Sequence, residues 1–284
     1  MLFWLGGQLL YICPTPIGNL GDITLRVLDT LRQADLIAAE DTRRTRALLS
    51  HYGISKPLVS FYEHNELKRL PELLGRLRGG DTIALVSDAG MPGICDPGYR
   101  LIAAALAKEL PVEVLPGPSA IETALVSSGF ATDSFVFLGY LPRRKGDLKK
   151  VLSGVAAQTR TCVAFETPHR LRATLAAAAP ILAGRPLAVC RELTKKFEEI
   201  TRGSAAELAD GLPEKVKGEV VLVFGPGEAV SGEAAAKAHL DELLRELLDA
   251  GLPARRAAAL AALATGAPRN RAYKLAVEIK ESLS

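Results

Sequence analysis

Thr15-Pro-Ile-Gly-Asn-Leu-Gly-Asp22, Ser87-Asp-Ala-Gly-Met-Pro-Gly-Ile-Cys-Asp-Pro-Gly98 and Pro116-Gly-Pro-Ser-Ala120 share one construction. Each is a loop rich in glycine and proline that follows a short apolar run and precedes an amphipathic one. Strand, irregular loop and helix in succession is how an α/β protein presents backbone to a small molecule. Three such loops in one half of the chain predict an α/β fold with a cofactor site there.

The surrounding pattern extends the alternation. Residues 9–13 read as a buried strand. Asp22 stands at an N-cap position ahead of Ile23, Leu25, Val27, Leu28 and Leu31, which share a helical face. Strands are predicted at Leu36–Ala39, 58–61, Ile83–Val86 and 112–115, and helices at 42–52, 67–78 and 99–110. That is a parallel or mixed sheet with helical crossovers. In the second half, strands are predicted at 135–138, 161–165, Leu187–Arg191, 198–202 and 219–224, with helices at 148–157, 171–178 and 205–209. The closer spacing of the last strands predicts an antiparallel portion. Residues 239–250, 253–265 and 268–282 read as three helices. The organisation expected is an α/β subdomain over 1–117, a second over 118–225, a linker at 226–236 and a helical tail over 237–284.

A chain of 284 residues, 48% hydrophobic and 24% charged, has the material for a sizeable core. Its net charge of +3 is too small to imply a nucleic-acid partner, so the distribution matters more. One basic cluster holds Arg143, Arg144 and Lys145 with Lys149 and Lys150. Another holds Arg255, Arg256, Arg269, Arg271, Lys274 and Lys280. Cys13, Cys95, Cys162 and Cys190 have no paired spacing, which predicts reduced, mostly buried thiols in a cytosolic protein. The histidines are equally scattered, so no metal site is expected. The apolar stretch 1–7 is short and lacks a basic flank, unlike a signal peptide. No apolar run is long enough to span a bilayer.

Gly18-Asn-Leu-Gly21 permits a tight turn and close backbone approach to a ligand. It has neither the G-x-G-x-x-G spacing of a dinucleotide loop nor the Gly-Lys-Ser/Thr of a P-loop. Glu40 and Asp41 follow about twenty residues later at a strand end, where a ribose-binding acid can sit. The bland reading of the glycine pair is a turn. The loop from Ser87 to Gly98 is more specific, with three glycines, two prolines and two aspartates in twelve positions. Asp88 and Asp96 either cap helices or hold a ligand's ammonium group; capping is the commoner fate for Asp96 before Pro97-Gly98. In the tail, a Gly-containing turn leads into Arg269, Asn270, Arg271, Tyr273 and Lys274. This is either a helix-turn-helix presenting its basic end or a solvated helical cap.

These loops, together with Tyr11-Ile-Cys-Pro14, Ala39-Glu-Asp-Thr-Arg43, Phe137-Leu-Gly-Tyr-Leu-Pro142, Phe165-Glu-Thr-Pro-His-Arg170, Arg191-Glu-Leu-Thr-Lys195 and Lys217-Gly-Glu-Val-Val221, resemble the tetrapyrrole methylase superfamily. Within it they resemble the bacterial 16S ribosomal RNA cytidine 2'-O-methyltransferases. The resemblance covers nearly the whole chain. It implies a class III methyltransferase fold in place of a Rossmann arrangement, with S-adenosylmethionine between two α/β subdomains, a small helical C-terminal domain and a homodimer. It places cofactor contacts at Pro16, Gly18, Asp88, Ala89, Gly90, Met91, Ile94, Ser119, Ala120, and at backbone near Glu166 and Leu193. Relatives acting on tetrapyrroles usually read Gly-Asp-Pro where this chain has Gly90-Met-Pro92; a backbone contact survives that change and a carboxylate contact does not. The implied partner is 16S rRNA within the 30S subunit, in the cytoplasm.

The reaction so implied is in-line attack of a ribose hydroxyl on a sulfonium methyl. Glu40 and Asp41, then Asp22, are the candidate bases; helix capping or pairing with Arg43, Arg44 or Arg46 competes for all three. RNA contacts are expected at Arg43, Arg44 and Arg46, at Arg143, Arg144 and Lys145, and at Arg269, Arg271 and Lys274, a solvated charged face being the plain alternative for any one cluster. His169 reads as structural. Two other functions stay open. A small-molecule tetrapyrrole or corrin methyltransferase calls for an open apolar trough and no basic tail. An RNA-binding assembly protein without catalysis would not bind the cofactor.

Overall fold

The apolar run heading the first loop forms strand β1 (Leu10–Ile12) near the middle of a five-stranded sheet. The computed structural model describes residues 9–227 and 232–282. Residues 1–8, with the apolar start 1–7 among them, 228–231 of the predicted linker and 283–284 of the predicted tail lie outside them. β2 (Leu36–Ala39), β3 (Leu58–Ser60), β4 (Ile83–Val86) and β5 (Val112–Val114) complete the sheet in the order β3-β2-β4-β1-β5, every pairing parallel. β2 and β4 are buried at every position, as their unbroken apolar runs require of strands covered on both faces. Helices α1 (Leu25–Gln33) and α2 (Thr42–His51) belong to one face, α3 (Glu66–Arg78) and α4 (Tyr99–Leu106) to the other. They enclose two core layers, one around Val27, Leu31 and Ile37 and one around Leu73, Leu77 and Leu101.

Asp22 does not cap α1. It ends an exposed 3-10 turn, Leu20–Asp22, and Thr24 caps the helix by accepting from the Val27 N–H at 3.2 Å. A hydroxyl two residues later satisfies the same orphan donor.

The second sheet is mixed. β6 (Phe135–Tyr140) pairs parallel with β7 (Thr161–Glu166). β10 (Val220–Phe224) then lies antiparallel between β7 and β8 (Leu187–Arg191), and β9 (Glu199–Gly203) closes the edge against β8. This is the antiparallel portion that the strand spacing predicts. α5 (Ala120–Ser128), the run after the third loop, packs on this sheet through Ala124 and Leu125, with Ile17 from the first loop in the same apolar cluster. α6 (Lys145–Ala156), α7 (Pro168–Ala178) and α8 (Ala205–Gly211) are buried around Leu152, Leu175 and Leu222. Cys13, Cys162 and Cys190 are buried free thiols, and Cys95 is exposed.

The chain divides into two compact units at Gly227/Glu228. The second contains α9 (Gly232–Asp249), α10 (Ala254–Thr265) and α11 (Arg269–Ser282), so the last part of the predicted linker is already helical. Its core pairs Leu240, Leu244 and Ile279 with small residues, among them Ala257, Ala261, Ala272 and Ala276, which allow close helix packing. Arg269, Arg271, Tyr273 and Lys274 are exposed on α11. No described helix is long and apolar enough to cross a membrane.

Candidate active site

β4, β1 and β5 are neighbours running the same way, so the loops at their carboxyl ends meet. This is the position at which open parallel sheets bind ligands. Thr15 and Gly90 exchange two backbone hydrogen bonds of 2.9 Å, and the Thr15 hydroxyl donates to the Ser87 carbonyl at 3.0 Å. Gly90 sits at φ +76°, a left-handed turn that costs a residue with a side chain about 1–2 kcal/mol. The joined loops open onto a cavity of about 340 Å³. Its opposite wall is the second sheet: Tyr140, the stretch from Phe165 to Pro168, and Gly218 to Val221.

Asp88, Ala89, Gly90, Met91, Ile94, Ser119, Ala120 and Glu166, each assigned to the cofactor from sequence, line this cavity. Pro16 instead faces an adjoining hollow of about 300 Å³. Gly18 and Leu193 line neither. A Cβ on Gly18 would lie 2.5 Å from the Lys195 Cγ, so this glycine lets the first loop pack on the segment after β8. Leu193 is buried in the cluster that holds Ile17. These two set the position of the wall and do not form it. Glu166 turns its carboxylate inward, accepting from the Thr167 N–H at 2.7 Å and the Thr174 hydroxyl at 2.6 Å.

The candidate bases separate. Glu40, directly after β2, lines the cavity and accepts from the Asp88 N–H at 3.2 Å. Asp88 in turn accepts from the Asp41 N–H at 3.0 Å and pairs with Arg44 at 3.2 Å. Asp41 lies outside the cavity and caps α2, accepting from the Arg43 N–H at 2.8 Å. Its ion pair with the Arg43 guanidinium holds its carboxyl well below the usual carboxylate range. Asp22 also lies outside.

Asp96 is the residue that sequence reasoning undervalued. The N-cap position of α4 is Gly98, without a side-chain cap, and Asp96 lines the cavity. Burial, then the Glu40 carboxylate, pushes its pKa up to about 7. Burial also raises Glu40, the Asp88 N–H partly offsetting it. The two acids line the same cavity, and the Glu40 charge acts on Asp96. Nothing local marks this, because the two residues lie on loops 56 positions apart in the chain. The rise sets a sign on stability. The folded state binds a proton that the unfolded state has lost above its ordinary range near 4, so stability falls as pH climbs from about 4 to 7. Asp96→Asn is therefore expected to raise Tm by a few degrees at pH 8, with no difference near pH 4, in paired thermal melts.

Of the predicted RNA-contacting groups, Arg44 alone lines the cavity. Arg43 pairs with Asp41, and Arg46, Arg143, Arg144 and Lys145 are exposed outside it. Arg269, Arg271 and Lys274 belong to the second unit.

Comparison with known proteins agrees with this geometry. Residues 9–209 match the family described as Tetrapyrrole (Corrin/Porphyrin) Methylases, and residues 234–280 match one described as RsmI C-terminal HTH domain. A Mesorhizobium japonicum protein named ribosomal RNA small subunit methyltransferase I is 44% identical over 276 residues, covering 96% of this chain and 92% of its own. A Vibrio cholerae protein of the same name is 44% identical over 279 residues, covering 96% of each. The chain belongs to the ribosomal RNA small subunit methyltransferase I family. Uroporphyrin-III C-methyltransferase from Thermus thermophilus, solved with S-adenyl homocysteine, shares the fold with this member of the methyltransferase I family. Its TM-score is 0.54 at 17% identity, over 78% of this chain and 98% of that one. The tetrapyrrole enzymes are thus relatives in fold, and the family's ribosomal RNA methyltransferases are relatives in sequence.

Proposed function

We propose that the protein transfers the methyl group of S-adenosylmethionine to the 2'-oxygen of a cytidine ribose in 16S rRNA. The observation that carries the reading is the match, over 96% of the chain, to proteins named ribosomal RNA small subunit methyltransferase I. The cavity fits the donor's chemistry. S-adenosylmethionine is a sulfonium cation with an amino-acid tail, a purine and no phosphate. The described lining has apolar surface from Ile17, Met91, Ile94 and Ile121, and carboxylates from Glu40, Asp88 and Asp96. Arg44, its one basic side chain, is already paired with Asp88. Such a wall suits a cation and repels a pyrophosphate.

Backbone at Ala89, Gly90, Met91, Ser119 and Ala120 would hold the cofactor, which supplies an activated methyl. The chain's own residues then have two tasks. The loops hold the acceptor oxygen in line with that methyl, a positioning effect that reaches about 7–11 kcal/mol in favourable systems. Glu40 and Asp96, both in the cavity lining, would accept the proton that the hydroxyl loses on methylation. The assembled 30S subunit is the proposed substrate, a homodimer the proposed assembly and the cytoplasm the proposed location.

The test is transfer of label from S-adenosylmethionine to unmethylated 30S subunits, followed by mass mapping of the nucleoside. Label on one cytidine ribose supports the reading. Tight cofactor binding without RNA labelling overturns it. Exposed Arg143, Arg144 and Lys145 are assigned to phosphates. The double variant Arg143→Gln/Arg144→Gln is expected to reduce the slope of log affinity against log salt by roughly 1–2, measured by filter binding across a salt series.

A further inference from the structure

A second basin, of about 460 Å³, adjoins the cofactor cavity and shares Glu40, Cys95 and Asp96 with it as a common wall. Its remaining walls include Tyr62 and His64, from the turn after β3, and Tyr99 at the start of α4. The Tyr62 and His64 rings meet edge to face at 6.3 Å. Tyr62 is 41% and Tyr99 73% exposed, an aromatic surface left open inside a concavity. Aromatic faces of this kind stack a planar base. The basin's arginine, Arg100, is engaged by the buried Glu66 at 2.9 Å. Glu40, Glu63 and Asp96 add carboxylates that repel a phosphate and accept from hydroxyl and amino groups. The chemistry selected is the uncharged part of a nucleotide, its base and ribose, with phosphates kept outside.

We propose that this basin seats the acceptor nucleoside, splayed out of the RNA, with its base on Tyr62 and Tyr99 and its ribose against the wall shared with the cofactor cavity. The assignment rests on the methyl-transfer reading above and deepens it. It accounts for the placement of Glu40 and Asp96, since a proton acceptor for the ribose hydroxyl must face donor and acceptor alike. Structured RNA is commonly recognised through unstacked bases held on aromatic rings.

The test compares Tyr62→Ala and Tyr99→Ala with Tyr62→Phe and Tyr99→Phe. For each, kcat/KM is measured on unmethylated 30S subunits, and S-adenosylmethionine affinity by calorimetry. The alanine variants are expected to lose kcat/KM by roughly 5- to 100-fold at unchanged cofactor affinity, and the phenylalanine variants to keep most of it. Alanine variants as active as an active wild type overturn the subsite and leave the function standing. Alanine variants that also lose the cofactor overturn it as well, assigning the rings to the neighbouring cavity or to the fold. A wild type that binds cofactor and never labels RNA removes both readings.

Discussion

Glu40→Gln is expected to keep cofactor affinity within a few-fold of wild type and to slow single-turnover methyl transfer by about 10²–10⁴-fold, the usual contribution of a positioned base. The amide retains an oxygen for the Asp88 N–H that Glu40 accepts at 3.2 Å, so the loop stays in place while the proton acceptor is lost. Asp96 remains, but without its charged neighbour its pKa falls and it becomes the weaker base. Burial and the Glu40 charge hold the Asp96 pKa at about 7, so the wild-type rate is expected to rise with pH through the neutral range as the Asp96 proton leaves. In Glu40→Gln that rise moves to lower pH. Asp41→Asn is the control: Asp41 caps α2 from outside the cavity, and asparagine caps almost as well, so transfer stays near the wild-type rate. A Glu40→Gln enzyme with unaltered single-turnover kinetics removes Glu40 as the base.

Arg185→Met is expected to destabilise the first unit by on the order of 3 kcal/mol, for orphaned carbonyls at about 1–3 kcal/mol each with partial rescue by water. Arg185 is 6% exposed and lies just ahead of β8. Its guanidinium donates to the carbonyls of Val155 at 2.5 Å, Gln158 at 2.7 Å and Arg160 at 2.8 Å. These acceptors lie where α6 ends and the chain turns into β7. A helix C-terminus leaves its last carbonyls unpaired and partly negative; one buried cation satisfies three acceptors here. Methionine fills similar space and donates nothing. Tm is expected to fall by roughly 10 °C for a unit of this size, read by calorimetry. Arg160→Ala, removing an exposed side chain from the same turn, is expected to shift Tm by no more than about 2 °C. Equal Tm shifts for the two variants would show that the cation does not hold this turn.

Much of the fold was legible because its signals are local. The apolar runs Leu36–Ala39 and Ile83–Val86, and Leu187–Arg191 with its four apolar residues before Arg191, became strands with those bounds. Glycine and proline marked where the ligand loops begin and end, and the loop from Ser87 to Gly98 supplied much of the near wall of the cavity. Errors arose where two residues compete for one local role. Thr24 took the cap expected of Asp22, and Gly98 stood where Asp96 was expected to cap. From short-range chemistry alone, then, the sequence determined the alternation of elements, the loops that approach a ligand and the family resemblance. Tertiary structure decided which loops are neighbours. The order β3-β2-β4-β1-β5 brings Glu40 and Asp96 to one wall, and only there does burial beside a like charge lift a carboxyl to about 7. Desolvation and charge proximity are properties of assembled space, and no stretch of sequence carries them until the sheet has formed.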